Sequence, residues 1–229
     1  GLAVAKGLKE RGATVFGFDI NQGEMAPFAT FVKCDIADAA SVELAFTEFK
    51  KASNKLDILI NNAGIGSLTT VEKESDENWH KVLNVNVVGT ARVSRSAIPL
   101  LRTSKSAAIV NTASIAGTDG IPNRAAYSAS KGAVLALTLA MATDHLADGI
   151  RVNAVNPATT DTPWVKRLLD QSPDAKAARS ALEARQPMGR LVSPAEIASA
   201  IIFLASPLQA SVTGTTISID GGMHSLRIP

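Results

Sequence analysis

Short apolar segments alternate with longer helical segments along the whole chain, and this alternation limits the folds that the chain can adopt. Strands are predicted at residues 14–18, 30–34, 56–60, 107–114 and 151–155. Helices are predicted at residues 1–11, 39–51, 76–102 and 194–205 and around Tyr127, with an irregular helical stretch at residues 161–184. Regular β–α alternation implies a parallel sheet with helices on both faces. A length of 229 residues with 46% hydrophobic content predicts one doubly wound α/β domain over residues 1–229.

Charge and cysteine content narrow the partners and the compartment that we expect. The formal net charge is +2 and no run of Lys or Arg is present, which argues against binding to nucleic acid or to an anionic membrane. The single cysteine, Cys34, excludes an internal disulfide and fits a reducing compartment. Because no unbroken apolar stretch approaches about 18 residues, no membrane span is predicted. We therefore expect a cytoplasmic protein with a small-molecule partner and no metal site.

Tyr127 and Lys131 are four residues apart in the sequence Tyr-Ser-Ala-Ser-Lys, and Tyr127 is the only tyrosine in the chain. On a helix this spacing places both side chains on one face. A cation within a few ångströms favours the ionised form of a phenol, whose ordinary pKa is about 10. Such a pair can move a proton on or off an alcohol or carbonyl oxygen. The alternative is a solvated helix face with no catalytic role.

Two of the predicted strands end in small or hydroxyl-bearing residues. Residues 107–114 form an apolar strand that ends at Ser114, thirteen positions before Tyr127. Residues 56–60 form a buried strand that is followed by Asn61-Asn62-Ala63-Gly64. Small residues at the carboxyl edge of a parallel sheet allow a ligand to approach the backbone. We therefore expect a site at this edge, where the Ser114 hydroxyl could hold a substrate oxygen.

These motifs resemble those of the classical short-chain dehydrogenase/reductases, in the same order and over nearly the whole chain. The matching segments are Asn61-Asn62-Ala63-Gly64, Val85-Asn86-Val87-Val88-Gly89, Ser114, Tyr127 with Lys131, Val152-Asn153-Ala154-Val155-Asn156-Pro157, and residues 214–222 as a last strand. The resemblance implies a Rossmann-like fold and hydride transfer between a secondary alcohol and a nicotinamide cofactor. It also implies that the catalytic residues are Asn86, Ser114, Tyr127 and Lys131.

The resemblance gives each of these residues a role. Tyr127 is the general base in oxidation and the acid in reduction. Lys131 lowers the pKa of Tyr127 and holds the nicotinamide ribose, while Ser114 donates a hydrogen bond to the substrate oxygen. Asn86 shapes its helix to support a water-linked proton route, and the alternative is an amide that only packs the helix.

The chain departs from the family pattern at its start. Members begin with a strand and a glycine-rich loop, whereas Gly1 resembles the last glycine of that loop, or its neighbour, where the first helix begins. We therefore expect that the first strand and most of the phosphate-binding loop are missing from this sequence. The alternative is a non-catalytic scaffold or regulatory subunit. A milder departure is Ala158, where the family usually has glycine.

The end of the strand at residues 14–18 indicates which cofactor binds. Asp19 lies eighteen residues after Gly1, near the roughly 20 that separate a glycine loop from the acid that binds the adenosine ribose. Its carboxylate would repel a 2′-phosphate, so NAD is predicted over NADP; the alternative is a turn-forming aspartate. Asp35 and Ile36 resemble the adenine contact, with a helix cap as the alternative for Asp35. The predicted cofactor-binding residues are Gly1, Asp19, Asp35, Ile36, Asn62, Ala63, Gly64, Tyr127, Lys131, Pro157, Thr160 and Thr162.

Arginines near the tyrosine and in a variable segment indicate the substrate. The resemblance makes residues 161–190 a substrate lid, and Arg124 stands three residues before Tyr127. The pattern is similar to two subgroups, the 2-keto-3-deoxy-L-fuconate dehydrogenases and the cytosolic 3-hydroxybutyrate dehydrogenases. In the second subgroup, arginines at the positions of Arg124 and Arg185 hold the substrate carboxylate, which guanidinium groups can bind in a bidentate way. The alternative is that these arginines are solvated or contact another subunit.

We expect a small hydroxy acid or sugar acid as substrate, for example 2-keto-3-deoxy-L-fuconate, bound by Ser114, Arg124, Trp164 and Arg185. Trp164 could stack on a sugar face or could fill the core of the lid. A 3-hydroxybutyrate dehydrogenase and a neutral sugar or polyol dehydrogenase are the alternatives. The resemblance also implies a homotetramer, and small residues on one helix face would allow close packing, although burial within one subunit would explain them too. These residues are Ala129, Ala133, Ala136 and Ala140.

Overall fold

The computed structural model describes residues 1–170 and 172–227, in which helices and strands alternate. The strands are β1 (Phe16–Asp19), β2 (Thr30–Lys33), β3 (Ile58–Asn61), β4 (Ala108–Thr112), β5 (Arg151–Pro157) and β6 (Thr216–Ile219). The α-helices are α1 (Leu2–Glu10), α2 (Ala39–Ala52), α3 (Asp76–Leu83), α4 (Thr90–Leu101), α5 (Ala125–Asp144), α6 (Pro163–Asp170), α7 (Ala175–Ala184) and α8 (Pro194–Ala205). The predicted α/β, Rossmann-like class is confirmed.

The strand pairs of the structure are parallel, as the alternation predicts. β3, β4, β5 and β6 are neighbours in that order, with Ile58 opposite Ala108 and Ala108 opposite Arg151. β1 and β2 form a separate two-stranded sheet, in which Phe16 pairs with Thr30. Parallel strands bring their carboxyl ends to one edge of a sheet, so the residues that follow β3, β4 and β5 lie near one another.

Apolar clusters cover both faces of the sheets. One cluster contains Val32 of β2, Phe46 of α2, Leu101 of α4, Ile109 of β4 and Met141 of α5. Because side chains of both sheets contribute to this cluster, it joins the two sheets in one hydrophobic core. The cluster on the other face includes Val4 of α1, Val110 of β4, Val155 of β5, and Ile201 and Leu204 of α8. Helices therefore cover both faces, as predicted.

The segment predicted as one helix over residues 76–102 is divided by a wider turn. A π-helical segment, Asn84–Gly89, joins α3 to α4, and α4 contains Pro99. Such π turns are frequent at functional sites, because the extra residue redirects the side chains around it. The turn contains Asn86, whose side chain is buried.

Residues 161–190, the predicted lid, contain α6 and α7. These helices share a small apolar cluster of Val165, Leu169 and Leu191, with Ala178 and Leu182 packed against it. The segment therefore has a packing of its own, apart from the two larger clusters on the sheets.

Among the described residues, α5 is the one helix long and apolar enough to cross a membrane, judged by length and composition alone. A single such helix is weak evidence, because the core helix of a globular protein passes the same test. α5 packs against β4 and β5, with Val134, Thr138 and Met141 buried. Its place against the sheet accounts for its apolar character.

Candidate active site

Ser114, Tyr127 and Lys131 meet where β4 ends and α5 begins. Ser114 caps a 3₁₀ turn, Ile115–Gly117, and its hydroxyl accepts a hydrogen bond from the Ala116 amide at 3.2 Å. Tyr127 and Lys131 lie in the first two turns of α5. The Ser114 hydroxyl is near enough to the Tyr127 phenol to lower its pKa by hydrogen bonding. The structure thus brings together the three residues that carry the predicted proton chemistry.

The turn that carries Ser114 lies directly against α5. A Cβ atom at Gly117 would be 2.8 Å from the carbonyl carbon of Lys131 and 2.8 Å from the amide nitrogen of Gly132. Contacts this short leave no room for a side chain unless the backbone moves. Gly117 therefore sets the distance between Ser114 and the helix of Tyr127, a role that no sequence motif indicates.

Burial dominates the proton affinity of Tyr127. Desolvation raises the pKa of its phenol, while hydrogen bonding by Ser114 and the charge of Arg124 act in the opposite direction without offsetting it. The prediction that Lys131 lowers this pKa differs from the structure, in which the Lys131 nitrogen is 5.7 Å from the centre of the Tyr127 ring and Arg124 is the cation that acts on the phenol. At neutral pH Tyr127 is therefore a neutral phenol, the form that can give a proton to a ketone.

Lys131 is almost completely buried, with 4% of its surface exposed. Desolvation lowers the pKa of its ammonium group to about 8. The group donates to the Thr112 carbonyl oxygen at 2.8 Å, its one acceptor within residues 1–170 and 172–227. Because an ammonium group has three donors, two are left for the hydroxyl groups of a ligand.

Asn86 links the loop after β3 to α5. Its Oδ1 accepts from the Ile65 amide at 2.8 Å, and its Nδ2 donates to the Ile65 carbonyl oxygen and to the Ser130 hydroxyl, each at 2.9 Å. The side chain is 1% exposed, so these bonds are shielded from water. They fit the packing alternative for Asn86, and a part in proton transfer stays a prediction.

Arg124 lies between two aromatic rings at the start of α5. Its guanidinium carbon is 5.9 Å from the centre of the Tyr127 ring and 5.8 Å from that of the Trp164 ring. Its Nη1 donates to the Ser67 carbonyl oxygen at 3.2 Å. Burial lowers the pKa of Arg124, and the charge of Arg185 acts in the same direction, which places the two predicted substrate arginines near each other.

Two other arginines of the variable segment are held by acids. Arg179 forms ion pairs with Asp161 at 2.8 Å and with Glu183 at 2.9 Å. Arg190 forms an ion pair with Glu196 at 2.8 Å. These pairs explain both side chains without a ligand.

Arg124 and Arg185 differ from this pattern. In the part of the chain that the structure describes, no carboxylate lies within ion-pair distance of either one. Their positive charges are therefore available to an anionic group beside Tyr127.

Asp19 and Asp35 follow the first two strands. Asp19 is exposed, and its Oδ1 accepts from the Asn21 amide at 3.1 Å, the turn contact expected under the alternative. This contact leaves the second carboxylate oxygen free to accept hydrogen bonds. Asp38 caps α2, whereas the exposed Asp35 accepts from the Ala37 amide at 2.9 Å, so Asp35 is not the helix cap.

Ile36 lies against the π turn. A Cβ atom at Gly89 would be 2.9 Å from the Ile36 Cδ1 and 3.1 Å from its carbonyl oxygen. Arg92 donates to the same carbonyl oxygen at 3.1 Å. The loop predicted to contact adenine is therefore braced by the segment that holds Asn86.

Gly1 and residues 62–64 meet at the edge of the sheet. A Cβ atom at Gly1 would be 3.2 Å from the Asn62 Nδ2, and one at Gly64 would be 3.4 Å from the Lys131 Nζ. Asn62, Ala63 and Gly64 are exposed. The backbone is therefore accessible beside the ammonium group.

Pro157, Thr160 and Thr162 lead from β5 into α6. Pro157 is the last residue of β5, and the Thr160 hydroxyl donates to the Ala158 carbonyl oxygen at 3.0 Å. The Thr162 hydroxyl accepts from the Val165 amide at 3.3 Å, in the first turn of α6. In the structure both hydroxyls support the chain itself, and their contact with a cofactor stays a prediction.

The family model described as Enoyl-(Acyl carrier protein) reductase matches residues 1–224. The chain is 38% identical over 239 residues to 2-(S)-hydroxypropyl-CoM dehydrogenase 3 of Xanthobacter autotrophicus, which covers 99% of this chain and 92% of that protein. The chain belongs to the short-chain dehydrogenase/reductase family. It is therefore an oxidoreductase that acts on alcohol or ketone groups.

Two further similarities place this short-chain dehydrogenase/reductase among varied relatives. It is 37% identical over 232 residues to cis-4-hydroxycyclohexanecarboxylate dehydrogenase of Sinomonas cyclohexanicum, covering 97% of this chain and 91% of that one. Its fold matches the ligand-free aldohexose dehydrogenase of Thermoplasma acidophilum with a TM-score of 0.92 and 32% identity, covering 99% of this chain and 91% of that chain. The fold and the reaction class are thus shared, while the substrates named for these proteins differ.

The sheet edge of this short-chain dehydrogenase/reductase fits a nicotinamide cofactor. Lys131 has two donors left, Asp19 has a free carboxylate oxygen, and the backbone at Gly64 is open. The Thr112 hydroxyl oxygen is buried and has no hydrogen-bond partner in the described ranges. A polar ligand with ribose hydroxyl groups would suit these side chains.

A buried polar network beside the site was not predicted. Asn61 donates to the Ser94 hydroxyl at 3.0 Å and to the Asn111 Oδ1 at 2.8 Å, and Asn111 donates to the Thr138 hydroxyl at 2.9 Å. The network joins the ends of β3 and β4 to α4 and α5. Its one signal in the sequence is that Asn61 and Asn111 interrupt or end apolar strands.

Proposed function

We propose that this chain is an NAD-dependent dehydrogenase of a small hydroxy acid or sugar acid, such as 2-keto-3-deoxy-L-fuconate, with 3-hydroxybutyrate as an alternative acid. The observation that carries the proposal is the position of Arg124. This half-buried guanidinium group is 5.9 Å from the Tyr127 ring and has no acidic partner in the described part of the chain. A carboxylate on the substrate would satisfy its free donors and would set the alcohol carbon beside Tyr127.

The proton chemistry follows from the three residues at the end of β4 and the start of α5. Tyr127 is a neutral phenol and gives its proton to the substrate oxygen in reduction, or takes it back in oxidation. Ser114 donates a hydrogen bond to the same oxygen and stabilises the charge that develops there. When bound, the nicotinamide ring accepts or supplies the hydride. Lys131 holds the ribose with the two donors that Thr112 leaves free.

The preference for NAD rests on Asp19. Its exposed carboxylate stands at the end of β1 and keeps one oxygen for a ribose hydroxyl group. A 2′-phosphate at the same place would meet like charge. Asp35 and Ile36, braced by the π turn, would contact the adenine that both cofactors share.

The substrate class is tested by initial rates of NAD reduction by the full-length protein. The panel comprises sugar acids including 2-keto-3-deoxy-L-fuconate, 3-hydroxybutyrate with its neutral amide, and neutral polyols. We expect turnover of acids and a KM at least about tenfold higher for the amide, because a bidentate charged pair is lost. Turnover of polyols alone would show that the anionic substrate is wrong and leave the reaction class intact.

The role of Arg124 is tested with Arg124→Met against Arg190→Met as the matched control. Arg190 is exposed and paired with Glu196, so its loss should leave KM unchanged. Arg124→Met should raise KM for the acid about tenfold or more and change KM for a neutral alcohol little. Equal effects of the two variants would argue against Arg124 as the anchor.

The catalytic assignment is tested with Tyr127→Phe. Removal of the phenol oxygen should lower kcat by about 10²–10⁴-fold, the usual contribution of a general acid–base. The melting temperature and the affinity for NADH should stay near those of the unchanged protein, which shows that the fold persists. Turnover close to normal would contradict the role of Tyr127.

A neutral sugar is the second candidate substrate, and Trp164 favours it. The indole is 44% exposed and lies above Gly66, where a Cβ atom would be 3.2 Å from the ring. An exposed indole at the mouth of a site can stack on the face of a sugar. Trp164→Ala should then raise KM for a neutral sugar but not for 3-hydroxybutyrate.

We also propose that the protein is a cytoplasmic homotetramer. Ala129, Ala136 and Ala140 of α5 are exposed, so burial within one subunit does not explain this small-residue face. Small side chains let two helices approach closely, which favours a second copy as the partner. Light scattering on the full-length protein should give four times the subunit mass, and Ala136→Arg should reduce it.

A further inference from the structure

Glu74 organises the loop between β3 and α3. Its carboxylate accepts hydrogen bonds from the hydroxyl groups of Ser67 and Thr69, and from the Asn78 Nδ2 at 2.6 Å. Ser67 is buried, with 6% of its surface exposed. The bonds from Ser67, Thr69 and Asn78, in that order of size, hold the pKa of Glu74 below its ordinary value. The carboxylate therefore stays ionised and keeps its acceptor role through the neutral range.

Ser67 and Thr69, whose hydroxyl groups donate to Glu74, accept hydrogen bonds from the start of α5 through their carbonyl oxygens. The Ser67 carbonyl oxygen accepts from the Arg124 Nη1 at 3.2 Å, and that of Thr69 accepts from the Ala125 amide at 3.3 Å. The first of these is the one hydrogen bond of the Arg124 guanidinium group among the described residues. Its position between the Tyr127 and Trp164 rings thus depends on where Ser67 stands.

We propose that Glu74 is a positioning residue that sets the Arg124 guanidinium group against the Tyr127 ring by holding Ser67 and Thr69. A carboxylate in direct contact with Arg124 would fix the side chain but neutralise its charge. Glu74 acts instead through two hydroxyl groups and a peptide carbonyl, so the charge of Arg124 is left for a substrate anion. The importance of this charge for the substrate rests on the proposed function, whereas the placement of Arg124 does not.

The placement can be measured without a substrate, because Tyr127 is the only tyrosine in the chain. The absorbance of the ionised phenol near 295 nm after a stopped-flow pH jump reports the pKa of Tyr127 before alkaline unfolding proceeds. The positive charge of Arg124 lowers this pKa, so Arg124→Met should raise it. If Glu74 places Arg124, Glu74→Ala should give about half of that increase or more. The control is Glu72→Ala, which changes an exposed acid of the same loop and should have no effect.

A double-mutant cycle separates placement from a general effect on the fold. Glu74→Ala should add nothing to the tyrosine pKa when Arg124 is already Met, because coupled residues are not additive. The same increase in both backgrounds would overturn the proposal, as would no increase in the Arg124 background. If Glu74→Ala unfolds, Glu74→Gln is used; its amide keeps one acceptor and gains a donor, so it should fold and show a smaller increase.

The kinetic readout distinguishes failure of the two proposals. With the acid that the panel shows to be turned over fastest, Glu74→Ala should raise KM about threefold or more and change kcat less than about twofold. If Arg124→Met leaves KM for acids unchanged while the tyrosine cycle behaves as expected, the anionic substrate is wrong and the positioning role stands. If Arg124→Met raises KM and Glu74→Ala changes neither KM nor the tyrosine pKa, only the positioning role is wrong.

Discussion

The ammonium nitrogen of Lys131 lies 2.8 Å from the carbonyl oxygen of Thr112, and this bond fixes the cation at the end of β4. The hydrogen bond to the end of β4 thus takes one of the three ammonium donors of Lys131. The same position is poor in water, which is why the pKa of this lysine falls to about 8. The site therefore holds a charge at a cost in stability, and this cost depends on pH.

Lys131→Met should stabilise the protein relative to the unchanged chain at pH 7, with an advantage that shrinks as pH rises. Below pH 8 both folded and unfolded lysines are protonated and the full cost is present. Between the folded pKa of about 8 and the unfolded value near 10.4, the unfolded state binds more protons, so the unchanged protein gains stability with pH. Between pH 7 and pH 9.5 the free energy of unfolding of the unchanged protein should rise by about 2 kcal/mol relative to that of Lys131→Met. Urea unfolding of both proteins at pH 7 and 9.5 measures it.

The control for this experiment is Lys105→Met, which removes an exposed lysine. Its stability relative to the unchanged protein should be the same at both pH values. If the free energies of unfolding of Lys131→Met and the unchanged protein differ by the same amount at both pH values, burial does not oppose the charge of Lys131 in the folded state.

Gly117→Ala should impair catalysis far more than Gly120→Ala in the same loop. The added Cβ at 117 would lie 2.8 Å from the backbone of Lys131, whereas nothing lies within 4 Å of one at 120. The turn must move away from α5, which shifts Ser114 relative to Tyr127. Displacements of about 1 Å cost on the order of 10²-fold in rate, so kcat should fall by about that factor for Gly117→Ala. Initial rates measure the effect, and equal rates for the two variants would contradict it.

Local patterns were enough to predict most of the helices and strands and the edge of the sheet at which Ser114, Tyr127 and Lys131 meet. Tyr127 and Lys131 needed only their spacing on one helix. The strands predicted at residues 56–60 and 107–114, which the structure has at Ile58–Asn61 and Ala108–Thr112, needed only the alternation of elements. The helix at Pro194–Ala205 was predicted with the bounds that the structure has, and the structure shows a capping box of Ser193 and Glu196 at its start. Each of these features depends on residues a few positions apart.

What could not be predicted depends on residues far apart in the sequence. The π turn at Asn86 is stabilised by contacts with Ile65 and Ser130. The pairing of Arg179 with Asp161, eighteen residues earlier, removes one arginine from the substrate site, and its sequence context does not distinguish it from Arg185. The raised pKa of Tyr127 follows from burial, which periodicity alone does not quantify.

Arg151→Met should destabilise the fold without a direct effect on the site. This arginine is 8% exposed and donates to the carbonyl oxygens of Leu204, Ala205 and Ser206 at the end of α8, and of Val212. The last carbonyl groups of a helix have no hydrogen-bond donor within the helix. Removal of the arginine leaves these buried carbonyl groups without a donor, which lowers the free energy of unfolding. We expect a loss of about 3 kcal/mol or more, equal to a decrease of about 6–12 °C in Tm.

The matched control is Arg190→Met, in which the lost arginine is exposed and pairs with one acid. Exposed ion pairs contribute little, so Tm should change much less than for Arg151→Met. Calorimetry of both variants tests this order, and similar decreases in Tm would show that the four carbonyl groups are satisfied in another way.

Asp19 and Asp35 should have separable effects on cofactor affinity. Asp19→Ala removes a charge that opposes the 2′-phosphate, so the ratio of NADPH to NADH affinity should rise about tenfold or more. If Asp35 contacts adenine as proposed, Asp35→Ala should lower the affinity for both cofactors, which share adenine, and leave their ratio the same. Fluorescence titration of the full-length protein with NADH and NADPH gives these constants without a substrate. An unchanged ratio of affinities for Asp19→Ala would mean that Asp19 only makes its turn contact with Asn21. A changed ratio for Asp35→Ala would mean that the adenosine ribose binds at the end of β2.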